Sequence, residues 1–297
     1  MAGGLKEVRE RIVSVQNTMQ ITSAMKMVAA AKLRRAQDAI TRMRPYAEKI
    51  QTILANVSAT LDSSDGVFSD KRDIKTALIV VITSDRGLCG AFNNNSIKLA
   101  RKSIEKHEAN GASVLVLPLG KKANDAFLKE PSRTPRGFSD ETFMIFSELN
   151  FDNASDIAKI VMDGFVSKEW DSVEVAYGRF KNAAVQIPTI EAFLPLLPEE
   201  SNNEAAPNAN LTDYIFEPNR EDIVERILPS ALKTQLYKAL LDSQAAEHGA
   251  RMTAMHSATE NAGDLLQELK ISYNKARQAS ITTEILEIVA GSEALGG

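Results

Sequence analysis

The 297-residue chain has one cysteine, one tryptophan and three histidines, and these scarcities remove whole classes of function. A single thiol, Cys89, cannot build a disulfide framework or an all-cysteine metal cage, and a free thiol suits a reducing compartment. His107, His248 and His256 share no metal-ligand spacing, since residues eight apart on one helix stand about 12 Å apart. They are expected to be solvated or capping residues. The longest apolar run, Ala77 to Ile82, falls far short of the roughly 20 residues that span a bilayer. The first thirty residues carry acids and no apolar signal-type core, so no targeting peptide is expected. At 44% hydrophobic and 25% charged residues the chain reads as a soluble globular protein of about two domains, or one with a large extension.

What the sequence does have is long-range helical periodicity at both ends. Leu5 to Arg44 contains neither glycine nor proline, enough chain for a helix of about 60 Å. Leu5, Val8, Ile12, Val15 and Met19, then Leu33, Ala36, Ile40, Met43, Ala47, Ile50, Leu54, Val57 and Leu61, fall in one 3-4 register. The register is interrupted at Thr22, Lys26 and Ala29, which either fix its alignment or mark where it faces something other than a partner helix. Pro45 is expected to bend or break this helix. A second long helix starts near Glu221, with Pro229 early in it and Gly249 and Gly263 as weak points; Met252, Met255, Ala262, Leu266, Leu269, Tyr273 and Ala276 keep the same spacing. Ile281, Ile285 and Ile288 resume it out of phase. Two such seams at opposite ends of one chain predict an antiparallel coiled coil.

Between the seams the pattern changes. Ile74 to Thr83 and Ala112 to Leu119 are short apolar runs typical of buried strands, followed by helical patterns at Asn94 to Asn110 and Lys121 to Lys129. Ser155 to Lys168 reads as an amphipathic helix, and Val173 to Phe180 with Ala184 to Phe193 as a hairpin about Asn182. The expected fold is therefore α/β: a long antiparallel coiled coil of the N- and C-terminal helices with an inserted Rossmann-like α/β domain. The division is 1–62, 73–195 and 211–297, with a polar linker at Glu199 to Asn210.

Catalytic chemistry is hard to find. The turn Thr83 to Gly90 sits where α/β folds bind phosphate, but it lacks the G-x-G-x-x-G spacing, and Gly120-Lys121-Lys122 is no P-loop. Cys89 reads as a small buried residue, and Glu284 with Glu287 as a solvated face. The balance of charge is more telling: the formal total is -4, yet Met1 to Lys49 holds ten Lys or Arg against four Asp or Glu. Lys26, Lys32, Arg34, Arg35, Arg42 and Arg44 crowd one helix with no interleaved aromatic ring, which argues against single-stranded nucleic acid and leaves phosphate, anionic lipid or an acidic protein loop. Ile281, Ile285, Leu286, Ile288 and Val289 make the last turns apolar on more than one side, so they call for a nonpolar socket. A rigid coiled-coil tether and a nucleotide-binding α/β protein with helical extensions both fit these residues.

Three stretches, Ser14 to Ala36 (SVQNTMQITSAMKMVAAAKLRRA), Thr83 to Asn93 (TSDRGLCGAFN) and Arg251 to Gly291, resemble the gamma subunits of the rotary proton-translocating ATP synthases. The resemblance implies a non-catalytic central shaft without cofactors, set inside a ring of three alpha and three beta subunits. Its foot would rest on the c-ring beside the epsilon subunit, at the cytoplasmic face of a bacterial membrane, with membrane association only through the c-ring. It implies contacts with beta for Met25, Lys26, Lys32, Arg277 and Gln278. It also implies an apolar bearing around Ile285, Leu286, Ile288 and Val289, and a foot at Tyr214 and Glu217. On this reading Lys26 interrupts the seam because it serves the ring and not the partner helix. Ser292 stands where the family usually has alanine, and the paired-cysteine insertion of plastid forms is missing.

Overall fold

A computed structural model describes residues 2–58, 68, 70, 72–129, 140–196 and 220–295. Six α-helices, α1 (Ala2–Ser58), α2 (Phe92–Ala109), α3 (Lys121–Phe127), α4 (Asp140–Phe143), α5 (Phe151–Val166) and α6 (Arg220–Leu295), accompany four strands, β1 (Thr76–Ile82), β2 (Ser113–Leu119), β3 (Ser172–Phe180) and β4 (Gln186–Leu194). Two compact units result, one from Met1–Ala30 with Arg251–Gly297 and one from Ala31–Ala250.

The first unit is a helix pair. Arg9 reaches Tyr273, Thr22 reaches Thr259 and Lys26 reaches His256, so numbers rise along α1 as they fall along α6 and the pair is antiparallel. Leu5, Val8, Ile12, Val15 and Met19 are half-buried, and facing them Met255, Ala262 and Leu266 are buried with Leu269, Tyr273 and Ala276 half-buried. The small side chains of Ala29 and Ala262 are buried in this unit.

The second unit is built on a sheet ordered β2-β1-β3-β4, with β1 parallel to both β2 and β3 and β4 antiparallel at the edge. Alternation along the strands sends Leu78, Val80 and Ile82 with Val173, Val175 and Tyr177 to one face, where α5 (Ile157, Val161, Phe165) and α6 (Leu232, Leu236, Leu240) cover them. Ile79, Val81, Val116 and Ala176 face the other way, under Ala100 and Ile104 of α2 and Phe127 of α3. Each fully buried Leu, Ile or Val contributes about 1.5–3 kcal/mol, so two covered faces supply the main stabilisation of this unit.

Local chemistry sets the element ends. Strand β1 starts at Thr76 because the Asp171 carboxylate accepts the N–H groups of Lys75 and Thr76, at 2.9 and 3.0 Å. Helix α5 starts at Phe151, earlier than the Ser155 expected, because Asn150 is an N-cap whose Oδ1 accepts the Asn153 N–H at 2.7 Å. The β3–β4 turn closes through reciprocal backbone bonds between Asn182 and Val185, with Asn182 Oδ1 accepting from Ala184 and Val185.

The expectation for His107 fails for an identifiable reason, and both long helices run on through Pro45, Gly249 and Gly263. Pro45 does not break α1; it lies on the exposed side, where water can solvate the carbonyl freed one turn earlier, while Met43 and Ala47 keep the opposite face half-buried. Gly249 and Gly263 do not interrupt α6, and Gly249 instead admits the Ala183 backbone, whose carbonyl oxygen would lie 3.2 Å from an added β-carbon. His107 is neither solvated nor a cap: β3 turns Glu174 onto the face covered by α2, where Glu174 accepts from Ser103 and lies 3.2 Å from His107 Nε2. His248 is likewise buried on α6, whereas His256 is exposed beside Glu260.

Trp170 locks α5 to the end of its own connection. Its indole N–H donates to Val161 O at 3.0 Å, and the ring lies against Gly164, where a β-carbon would overlap it. Gly164→Ala is therefore expected to cost about 1–3 kcal/mol of overpacking, read as a lower urea midpoint of the full chain. A second prediction concerns Asp242 on α6. Burial raises its carboxyl to about 6; Glu191 adds to the rise, while Lys238, Arg179 and Arg44 oppose it. A carboxyl raised on folding stabilises the folded state while protonated and loses that contribution as pH rises through the folded value. Stability should thus fall as pH rises from about 4 to above 6, and Asp242→Asn should flatten that segment of a stability–pH curve and raise the melting temperature at pH 8.

Candidate functional site

In a parallel α/β sheet, ligands bind in the crevice at the carboxyl ends of the strands, where the connections diverge. Here that point lies between β1, whose connection leads to β2 on one side, and β3 on the other. The chain fills it with its own side chains. Phe92, at the start of α2, presses on Gly178 of β3, where a β-carbon would come within van der Waals overlap of its ring. Cys89 and Phe92 also pack with Ala246 and Ala250 of α6, and Phe180 closes the same cluster.

The polar groups of the crevice are equally committed. The Ser84 N–H donates to Asn93 Oδ1 at 2.9 Å and its hydroxyl donates to Arg86 O at 2.7 Å, while Asn93 Nδ2 donates to the Cys89 sulfur at 3.2 Å. Thr83 Oγ1 accepts from Ala123 N at 2.7 Å, and Asp85 Oδ1 accepts from Lys121 N at 3.1 Å. The donors at the first turn of α3 that could have met a phosphate are thus spent on Thr83 and a carboxylate, and a bound anion would have to displace negative charge. Cys89 is 1% exposed, so it serves as a small buried residue in a helix socket. Among the described residues, no group of three His, Cys, Asp or Glu could hold a metal ion. No helix of the described residues is long and apolar enough to cross a membrane.

The surfaces are where the chain is uncommitted. In the two-helix unit, Arg277 and Gln278 are exposed on α6, and Arg277 stands near enough to Tyr273 to help lower its phenol pKa, an effect led by the hydrogen bond from Arg9. Ile285, Leu286, Ile288 and Val289 are all exposed, Ile288 to 71%, so the apolar end of α6 has no cover within the unit. Met25 and Lys26 are only half-exposed. Lys26 lies at the seam with Nζ 3.4 Å from His256 Nδ1, so the expectation that it turns away from the partner helix is incorrect. Thr22 and Ala29, the other two interruptions, are buried there as well, which makes the seam continuous. Two small residues and an amphipathic lysine stem pack adequately between closely spaced helices.

The outward apolar residues of α1 are ones the heptad reading passed over: Ile21, Met27 and Val28 are 60%, 64% and 56% exposed. The signal was present, since MQITSAMKMVAAAK carries more apolar residues than a single 3-4 seam can use. In the α/β unit, Lys32, Arg34, Arg35, Arg42 and Arg44 are exposed on α1. Arg35, Asp38 and Arg42 rim a shallow groove of about 520 Å³ floored by Ala39, Met43 and Tyr237. Tyr214 and Glu217 lie outside the described residues.

Comparison with known proteins gives these surfaces a family. A family model described as ATP synthase matches residues 4–295. The ATP synthase gamma chain of Flavobacterium psychrophilum is 55% identical over 294 residues, covering 99% of both chains, and that of Flavobacterium johnsoniae is 53% identical over the same share. The fold also resembles a chain of the Euglena gracilis mitochondrial ATP synthase rotor in rotational state 1, with a TM-score of 0.64 at 22% identity over 95% of this chain and 100% of that one. Matched from end to end by such relatives, the chain belongs to the family of ATP synthase gamma chains.

Proposed function

We propose that this chain is the central rotor stalk of a bacterial ATP synthase, a non-catalytic subunit that couples transmembrane proton flow to ATP synthesis or hydrolysis at the catalytic sites of alpha and beta. The observation that carries the proposal is the full-length likeness to gamma chains, which spans both terminal helices and the α/β insert. In this reading residues 1–62 and the helical part of 211–297 form the shaft, 73–195 the globular part, and Tyr214 with Glu217 the foot on the c-ring beside epsilon. The protein then sits peripherally at the cytoplasmic face of the membrane, held through the c-ring.

The mechanism follows from asymmetry. An antiparallel helix pair presents a different surface at every angle: apolar at Ile21, Met27 and Val28 of α1, charged at Arg277 of α6. Three chemically identical catalytic sites around such a rod meet three different surfaces, and each site's conformational equilibrium shifts by the difference in contact free energy between its states. Turning the rod moves that bias from site to site. Because the coupling is reciprocal, nucleotide turnover in the ring also turns the rod. Arg277, Gln278, Lys32, Met25 and the half-exposed Lys26 are assigned to contact with beta, and Ile285, Leu286, Ile288 and Val289 to an apolar bearing that removes their exposed surface from water.

The nucleotide-binding alternative is disfavoured by the filled crevice, where Phe92, Asp85 and Asn93 occupy the space and the donors a phosphate needs. Mixing the full chain with bacterial alpha and beta subunits should give a stable complex with higher ATPase activity than the same mixture without it; no association, with nucleotide binding by the chain alone, would reverse the assignment. Arg277→Glu is expected to impair assembly or ATP-driven proton pumping in reconstituted vesicles, and unchanged pumping would remove Arg277 from the coupling contact.

A further inference from the structure

The seam of the helix pair is apolar along most of its length, with polar contacts where Arg9 donates to the Tyr273 hydroxyl and in two neighbouring turns nearer its middle. There the hydroxyls of Thr22 and Thr259 stand 2.8 Å apart across the interface. Each also lies near a carbonyl of its own helix, Met19 O at 3.1 Å and Met255 O at 2.7 Å. Two hydroxyls carry two protons, so one serves the bond across the helices while the other goes to a carbonyl. One turn further along α1, Lys26 Nζ lies 3.4 Å from His256 Nδ1. An ammonium has only donors, so Lys26 donates to Nδ1, while Nε2 of the same ring lies 3.6 Å from Glu260 Oε1, an ion-pair distance longer than a hydrogen bond. The lysine–imidazole contact forms only when His256 stands opposite Lys26.

We propose that Thr22, Thr259, Lys26 and His256 form a clasp that fixes the axial register of the two helices. The apolar seam cannot do this by itself, because Leu, Ile, Val, Met and Ala at 3-4 spacing exchange partners after a slip of one heptad at little cost in buried area. The polar layer cannot slip. Moving α6 by seven residues places Leu266 opposite Thr22 and Gly263 opposite Lys26, which breaks the bond between the hydroxyls, leaves Thr22 only the Met19 carbonyl of its own helix, and takes the imidazole acceptor from the ammonium. Such a slip would displace the exposed apolar end of α6 along the pair by about 10 Å, at 1.5 Å per residue. The clasp therefore sets how far Ile285 to Val289 project.

Paired-cysteine trapping in the full chain tests this on a Cys89→Ala, Tyr273→Phe background, which removes the separate Arg9–Tyr273 bond from every variant. Met19→Cys with Ala262→Cys reports the observed register, and Met19→Cys with Leu269→Cys a register slipped by one heptad. With the clasp intact, oxidation should trap the first pair faster by on the order of tenfold, the scale that two net hydrogen bonds set. With Thr22→Val, Thr259→Val, Lys26→Leu and His256→Leu combined, the slipped pair should form at a comparable rate, with helicity retained by circular dichroism. Restoring the donor and acceptor in exchanged positions, Lys26→His with His256→Lys, should recover the original preference. A preference that persists in the apolar variant overturns the proposal. If that variant loses helicity, a failure of the exchanged variant to keep the original preference overturns it instead.

Discussion

The structure depends on one demand: the apolar stripe of α6 must be covered wherever it runs. From Leu232 to Leu240 the sheet covers it, at Ala246 and Ala250 the strand-end crevice receives it, and from Met255 to Ala276 the N-terminal helix pairs with it. Each cover has its own chemistry. Leucines meet the broad sheet face, alanines meet a crevice that Phe92 has already narrowed, and alternating large and small residues meet another helix. The helix has no uniform amphipathic face because its partner changes, and its residue sizes follow that change.

The α/β domain has exchanged one use of its architecture for another. A parallel sheet with diverging connections comes with a ready cleft, and related folds place ligands there. In this chain Gly178 lets an aromatic ring descend onto β3, Asp85 supplies a carboxylate to the first turn of α3, and two alanines of α6 complete the seal. The cleft has become a socket for a helix. A domain whose cleft is full of its own chain is suited to holding α6, which is what a stalk asks of it.

Much of this was legible in the residues. Strands β1 and β2 stood out because strands buried on both faces are short apolar runs, β3 and β4 as a hairpin about Asn182, and the helix pair because its 3-4 spacing persists far beyond an ordinary helix. The sequence pattern misled where identity and environment part company. Thr22 and Lys26 look wrong for a seam but fit one, since a hydroxyl finds a hydroxyl and an ammonium finds an imidazole across the interface. His107 looks like surface until β3 brings Glu174 beneath α2, a pairing of residues 67 apart that no local pattern reports. Pro45 is tolerated because it faces water, and no periodicity rule contains that information. Of the exposed candidates, Ile285 to Val289 were readable because the last turns are apolar on more than one side, whereas Arg277 and Gln278 came from the resemblance to gamma subunits and not from any local pattern. The outward Ile21, Met27 and Val28 were hidden by an excess of apolar residues in the same turns.

The bare end of α6 also has a bearing on supply. A free chain that exposes Ile285, Leu286, Ile288 and Val289 at once carries an adhesive tip, and two such tips bury more apolar surface by meeting each other than by remaining in water. Surplus copies are therefore a burden to the cell in proportion to the square of their concentration.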